Sequence, residues 1–155
     1  MRRANLLEGD FEYDPEDPEG YRSGQIRLEA ALGAAETAIR LYEIPPGESC
    51  CPYHYEYVEE WLLILEGDLL VRSPAGEEPA QRGDLILFPS GPEGAHKITN
   101  TGTEPARALM FSSSREPSVA VYPDSDKIGV WPGREQDTVM LRRADGQVPY
   151  YDGEA

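Results

Sequence analysis

The sequence is poor in several residue types, and each shortage excludes a class of protein. Its 155 residues include only two cysteines, Cys50 and Cys51, which are adjacent. Neighbouring cysteines rarely have the geometry of a mutual disulfide, so we expect no disulfide framework of the secreted type. No run approaches the roughly 20 apolar residues of a membrane helix, and the N-terminus has no apolar signal core. We therefore expect a soluble cytoplasmic protein.

Positive charge is also scarce. The chain has 14 Lys and Arg residues against 29 Asp and Glu residues, which gives a formal net charge of −15. A field of this sign repels phosphate backbones and anionic lipid surfaces, so we expect neither nucleic acid nor membrane as a partner. The hydrophobic content of 39% is that of a globular protein, and the length suits one domain.

Short apolar segments separated by turn residues predict an all-β domain. From residue 44 onward, apolar runs alternate with Pro- and Gly-containing turns, which is typical of a sandwich or a barrel. We expect strands at residues 60–65, 69–72, 84–88, 96–99, 107–112, 118–122 and 139–141.

The two ends of the chain have a different character. Residues 1–24 contain an acidic stretch with Pro and Gly and are expected to form an N-terminal arm, followed by a barrel over residues 25–125. Residues 25–43 have helical propensity, but apolar and polar residues alternate near their end, so we favour strands there. Residues 126–155 are expected to be an extension that packs on the barrel or on a partner subunit.

The only two histidines of the chain, His54 and His96, lie in two segments that carry candidate chemistry. In a strand, residues two apart face the same side, so His54 and Glu56 share one face. Glu60 can return to that interior if the chain folds back after residue 59. By the same alternation Cys50 shares the face of His54 and can reach the cavity, although a role as a small buried apolar residue is favoured for it. The tyrosines at 53, 55 and 57 face away from the cavity, so we expect them at an interface.

These two segments resemble the two conserved motifs of the cupin superfamily, in its small single-domain microbial form. The matching positions are Gly47, His54, Glu60 and Gly67 in the first motif, and Gly83, Pro89, Gly91, His96 and Asn100 in the second. One extra residue precedes His54 and two precede His96. The resemblance covers residues 47–100 and implies a double-stranded β-helix, a jelly-roll-like barrel that commonly forms homodimers.

The resemblance also implies a metal site, with one departure from the usual ligands. Glu56 stands where the first motif of the family has its second histidine. The implied set is therefore His54, Glu56, Glu60 and His96, which suits a divalent Fe, Mn, Ni or Zn ion. Two alternatives stay open: Glu56 as a hydrogen-bonded carboxylate at the rim, and a cupin without metal. Asn100 is expected to hold a backbone turn.

Two functions are compatible with this resemblance. The first is a metal-dependent enzyme that acts on a small polar molecule, of the dioxygenase, isomerase or decarboxylase type. The second is a non-catalytic module that binds a small ligand or a sugar, with or without a metal. Because one fold serves many functions, the choice depends on the site.

Overall fold

A computed structural model describes residues 1–154 of the chain. Within these residues the regular structure is mainly strand, and the helices are short. The strands are β1 Glu12–Tyr13, β2 Gly24–Arg27, β3 Thr37–Ile44, β4 Tyr55–Glu56, β5 Glu60–Glu66, β6 Asp68–Ser73, β7 Gly76–Gln81, β8 Leu85–Phe88, β9 Lys97–Asn100, β10 Ala106–Ser113, β11 Ser118–Tyr122, β12 Lys127–Trp131 and β13 Val139–Arg142. The α-helices are α1 Leu28–Leu32 and α2 Arg143–Gly146. No helix formed by residues 1–154 is both long enough and apolar enough to cross a bilayer.

The strands form three antiparallel sheets. The largest has the order β1-β2-β3-β10-β5-β8, the second β13-β12-β11-β4 and the third β7-β6-β9. Neighbours in these sheets are often far apart in the sequence, as β6 and β9 are, so the chain crosses between the sheets repeatedly. This confirms the all-β architecture that the sequence predicted.

The main core lies between the six-stranded and three-stranded sheets. Alternate residues of β5 point inward, so Leu62 and Ile64 are buried while their neighbours on the strand are less so. The three-stranded sheet contributes Leu69, Val71 and Ile98 to the same cluster. The four-stranded sheet buries a second, smaller cluster that closes another side of the barrel: Tyr53, Tyr55, Ala95 and Val121, with Ile128 partly buried.

All seven strands expected from residue 60 onward are present, with ends shifted by at most one residue. The strand expected at residues 25–43 is divided: residues 24–27 and 37–44 are strands, and α1 lies between them. Gly33 ends α1 in the left-handed conformation, with φ of +65°, which costs a glycine little. Both the helical propensity and the alternation were therefore valid, each for a different part of the segment.

Besides the two-residue strands β1 and β4, two longer strands, β7 and β12, were not predicted from the sequence. β7 has the sequence GEEPAQ, which contains a proline and few apolar residues. It forms the edge of its sheet, where one side of the backbone needs no ladder partner and proline is tolerated. β12 pairs with β11 and β13, so residues 127–142 continue the four-stranded sheet. Whether a partner subunit also contacts residues 126–155 stays a prediction.

Two of the motif positions have structural roles. Gly67 turns the chain between β5 and β6 with φ of +79°, and a Cβ there would lie 2.8 Å from the Cβ of Ala106. Asn100 is buried, and its side-chain nitrogen donates hydrogen bonds to the carbonyls of Ile44 and Glu104 at 2.7 and 2.8 Å. Its side-chain oxygen accepts a hydrogen bond from the backbone of Gly102 at 2.8 Å. Asn100 thus joins three chain segments, as expected of a turn-holding residue.

Replacement of Asn100 should destabilise the protein strongly. The Asn100→Ala variant leaves two carbonyls and one amide without their partner, and we expect the free energy of unfolding to fall by about 2–4 kcal/mol. Urea denaturation followed by circular dichroism measures this loss. The exposed Asn5 provides a control, because Asn5→Ala should change stability by less than about 0.5 kcal/mol. Equal stabilities of the two variants would contradict this role.

Candidate metal centre

The two histidines face each other across a backbone bridge. The amide of His54 donates to the carbonyl of His96 at 3.1 Å, and the amide of His96 donates to the carbonyl of His54 at 2.8 Å. This reciprocal pair brings two residues 42 positions apart in sequence into register. The centroids of their rings are 4.7 Å apart as a result.

Both rings are held by the same local hydrogen bond. The Nδ1 atom of His54 lies 2.9 Å from the carbonyl of Pro52, and that of His96 lies 2.9 Å from the carbonyl of Gly94. A carbonyl oxygen can only accept, so each Nδ1 carries the proton. The lone pair of each neutral ring is then on Nε2, as it is in histidines that bind metals.

Glu60 completes a compact set of donors. It is the first residue of β5, and its Oε2 atom lies 3.9 Å from the Nε2 atoms of both histidines. Ligand distances of about 2.1 Å allow two donors of one cation to be at most about 4.2 Å apart. Both separations meet this limit. The neighbouring Glu59 is exposed, so Glu60 is the inward carboxylate, as alternation indicated.

Glu56 lies on the side of His54 and Glu60. It is in β4, which pairs with β11 so that Glu56 is opposite Ala120. One donor atom each from His54, Glu56 and Glu60 lie within 4.8 Å of one another. His54 therefore shares one donor group with both carboxylates, and His96 is linked to that group through Glu60.

His96 has the clearest requirement for a further partner. It is completely buried, and the face of its ring stacks on Phe88 with centroids 3.7 Å apart and planes 9° apart. Its Nε2 atom is buried and has no hydrogen-bond partner. Buried polar atoms are almost always paired, and an ion is one accepted reason for an exception. The donors present therefore fit a divalent cation.

Burial is the largest cause of the raised pKa values of the two carboxylates, Glu56 and Glu60. It raises the pKa of Glu60 to about 8, and the nearby charge of Glu56 adds to this shift. Burial also raises the pKa of Glu56, although His54 and Arg40 oppose the change. Two carboxylates held together out of water repel each other, and this repulsion is relieved by a proton or by a cation.

Burial lowers the pKa of both histidines, but the net shifts of the two pKa values are opposite. Burial and the charge of His54 lower the pKa of His96 to about 3, so this ring is neutral near pH 7. Burial also opposes a charge on His54, but Cys51, the Pro52 carbonyl and Glu56 outweigh it and raise the pKa of His54 to about 9. The lone pair of His96 is therefore available to an electrophile at neutral pH.

A cavity of about 800 Å³ opens onto this centre. The carboxylates, His54 and Cys51 lie in its wall, together with polar and aromatic side chains from several strands. Tyr122 stacks on His54 with ring centroids 5.8 Å apart. Four arginines also line it: Arg27, Arg40, Arg115 and Arg134. The volume suits a small molecule.

The cysteines and tyrosines of residues 50–57 have different surroundings. Cys50 lines the cavity, as alternation indicated, and also packs against the apolar core. Cys51 lines the same cavity and belongs to a donor group with both histidines, which alternation did not indicate. Tyr53 and Tyr55 face away from the cavity but are buried in the second core cluster, whereas Tyr57 is exposed.

Comparison with known proteins finds one matching domain family and a related protein. The Cupin_2 cupin domain family matches residues 40–112. TcmJ, a tetracenomycin polyketide synthase protein of Streptomyces glaucescens, is 26% identical over 103 residues, which are 66% of this chain and 68% of that protein.

Two solved structures are similar over most of the chain. A proposed sugar phosphate isomerase from Acidithiobacillus ferrooxidans has a TM-score of 0.75 and 27% identity, covering 84% of this chain and 82% of its own. A sugar phosphate isomerase of the cupin superfamily from Silicibacter pomeroyi has a TM-score of 0.80 and 23% identity, covering 97% and 98%. With both motifs in place, residues 40–112 match the cupin domain family, and the whole chain is similar in fold to small proteins of the cupin superfamily.

Proposed function

We propose that this protein binds a divalent metal ion through His54, Glu60 and His96, with Glu56 as a further ligand, and acts on a small polar molecule. The observation that carries the proposal is the buried Nε2 atom of His96, which lacks a partner and lies 3.9 Å from a carboxylate oxygen of Glu60. Two imidazoles and two carboxylates suit Fe(II), Mn(II), Ni(II) and Zn(II) alike. Such an ion, when bound, polarises an oxygen of the substrate.

Arg40 supports a substrate that carries negative charge. It lies on β3, lines the cavity and interacts with Tyr42 and Glu56. A guanidinium group in a cavity wall is suited to a carboxylate or a phosphate group, which it can hold through two hydrogen bonds. The negative net charge of the chain opposes an anionic ligand at long range, and the four cavity arginines offset this locally.

The relatives support small oxygen-rich substrates. Two are described as sugar phosphate isomerases and one as a polyketide synthase protein. In a reaction of the isomerase, decarboxylase or dioxygenase type, residues of this cavity orient the substrate, limit the access of water and accept a proton. Arg40 orients the anionic group, and Tyr122 and the buried walls limit the access of water. A carboxylate with a raised pKa, such as Glu56, can accept a proton when it is not a ligand.

Metal analysis of the purified protein tests the proposal. Protein isolated without chelators should contain up to one divalent ion per chain, and both His54→Ala and His96→Ala should lose it, because each removes a nitrogen donor. Inductively coupled plasma mass spectrometry measures the occupancy. A wild-type protein that carries no metal and takes up none on titration would contradict the proposal and favour a metal-free ligand-binding module.

Two adjacent glutamates provide a matched pair of variants. Glu60→Gln should weaken the binding of Zn(II) or Mn(II) by at least about tenfold, since it removes a charged ligand. Glu59→Gln should leave the affinity unchanged, because this side chain is exposed. Isothermal titration calorimetry compares the two variants under the same conditions. Equal losses of metal affinity in both variants would show that the affinity depends only on net charge and not on Glu60 as a ligand.

We further propose that the protein is a homodimer. The edge strand β8 exposes 56% of Leu85 and 42% of Leu87 on the outer face of the six-stranded sheet. Trp61 and Phe111 continue this face, with parallel rings whose centroids are 6.1 Å apart. Two copies with a net charge of −15 each repel one another, so an uncharged apolar surface favours a self-complementary contact.

Light scattering after size-exclusion chromatography tests the dimer. Wild-type protein should have twice the mass of one chain, and the double variant Leu85→Glu, Leu87→Glu should be monomeric because four new charges meet in the contact. Val148→Glu, at an exposed apolar residue elsewhere, should stay dimeric. A monomeric wild type, or a double variant that remains dimeric, would exclude this surface. The cytoplasmic location stays a prediction.

A further inference from the structure

A two-residue bulge directs Cys51 towards the metal centre. The amide of Cys50 donates to the carbonyl of Ile98 at 3.3 Å, and the next paired residues are His54 and His96. The chain therefore advances four residues from Cys50 to His54 while the paired segment advances only two residues, from Ile98 to His96. The extra residues interrupt the inward and outward alternation, which explains why Cys51 and not Cys50 lies beside the histidines.

The sulfur atom of Cys51 is close to both imidazoles. One donor atom each from Cys51, His54 and His96 lie within 4.8 Å of one another. A zinc-like ion with ligand distances of about 2.3 Å to sulfur and about 2.1 Å to nitrogen spans about 4.4 Å between the two donors. The separations of the three donors, at most 4.8 Å, therefore exceed this span by no more than about 0.4 Å.

A second observation points to a ligand at the same position. The Nε2 atom of His96 is completely buried and unpartnered, and His96 belongs to one donor group with Cys51. His54 belongs to both groups of donors, the one with Cys51 and the one with Glu56 and Glu60. A cation held by the histidines is therefore within reach of sulfur as well as of carboxylate oxygen.

We propose that Cys51 binds the metal ion as its thiolate, together with His54, Glu60 and His96. The inference rests on the proposed metal site and adds a soft donor to it. On binding, the thiol proton passes to solvent and the sulfur lone pair forms the bond to the metal. A thiolate shifts the preference of the site from Mn(II) towards Zn(II) and Fe(II), because soft ligands favour these ions.

Cobalt substitution tests this directly. Metal-free protein is titrated with Co(II) and observed by absorption spectroscopy, where a thiolate ligand gives an intense near-ultraviolet charge-transfer band in addition to the weak visible bands of the ion. Wild type and Cys50→Ser should show both features. Cys51→Ser should bind Co(II) with the visible bands and lose the charge-transfer band. Cys50 is a matched control, because its sulfur lies only 3.7 Å from that of Cys51.

The outcomes separate this inference from the metal site itself. Visible bands without a charge-transfer band in wild type would overturn Cys51 as a ligand and leave the histidine–carboxylate site intact. A charge-transfer band that survives Cys51→Ser would overturn it as well. Failure of wild type to bind Co(II) would overturn both proposals. If Cys51→Ser does not fold, X-ray absorption of cobalt-loaded wild type decides, through the presence or absence of sulfur at about 2.3 Å.

Discussion

The reciprocal hydrogen bonds between His54 and His96 are the constraint on which the candidate site depends. They form an isolated bridge at the end of two segments that run antiparallel from Gly47 and Asn100. The bridge fixes the separation of the two rings, and the carbonyls of Pro52 and Gly94 fix their orientation. Glu60 then needs only to begin the adjacent strand β5 to face both Nε2 atoms.

Burial and mutual repulsion oppose the charged forms of the two carboxylates. Burial and the charge of Glu56 raise the pKa of Glu60 to about 8, and Arg40 only partly offsets this shift. A divalent cation at the proposed site would relieve the repulsion and supply the missing partner of His96. With the carboxylates neutralised in this way, the arginines of the cavity would dominate the field that an entering molecule meets.

The sequence predicted the fold because the information was local and periodic. Apolar alternation identified β5, β10 and β11, and the resemblance to the two cupin motifs implied that His54, Glu60 and His96 lie together, which their 3.9 Å contacts support. The edge strand β7 was missed because its exposure removes the apolar signal. Cys51 was missed because the bulge before His54 breaks the period of two, and only the partner segment reveals it. The extra residue before His54 in the motif was the one available sign of that bulge.

The most direct test of a cation held by His54, Glu60 and His96 is a crystal structure of the metal-loaded protein, with diffraction data collected at the absorption edge of the metal. The anomalous difference map should contain one strong peak inside the barrel, about 2.0–2.3 Å from one nitrogen of each imidazole and from a Glu60 oxygen. A map without a peak there, or with a metal bound only at surface carboxylates, would contradict the account.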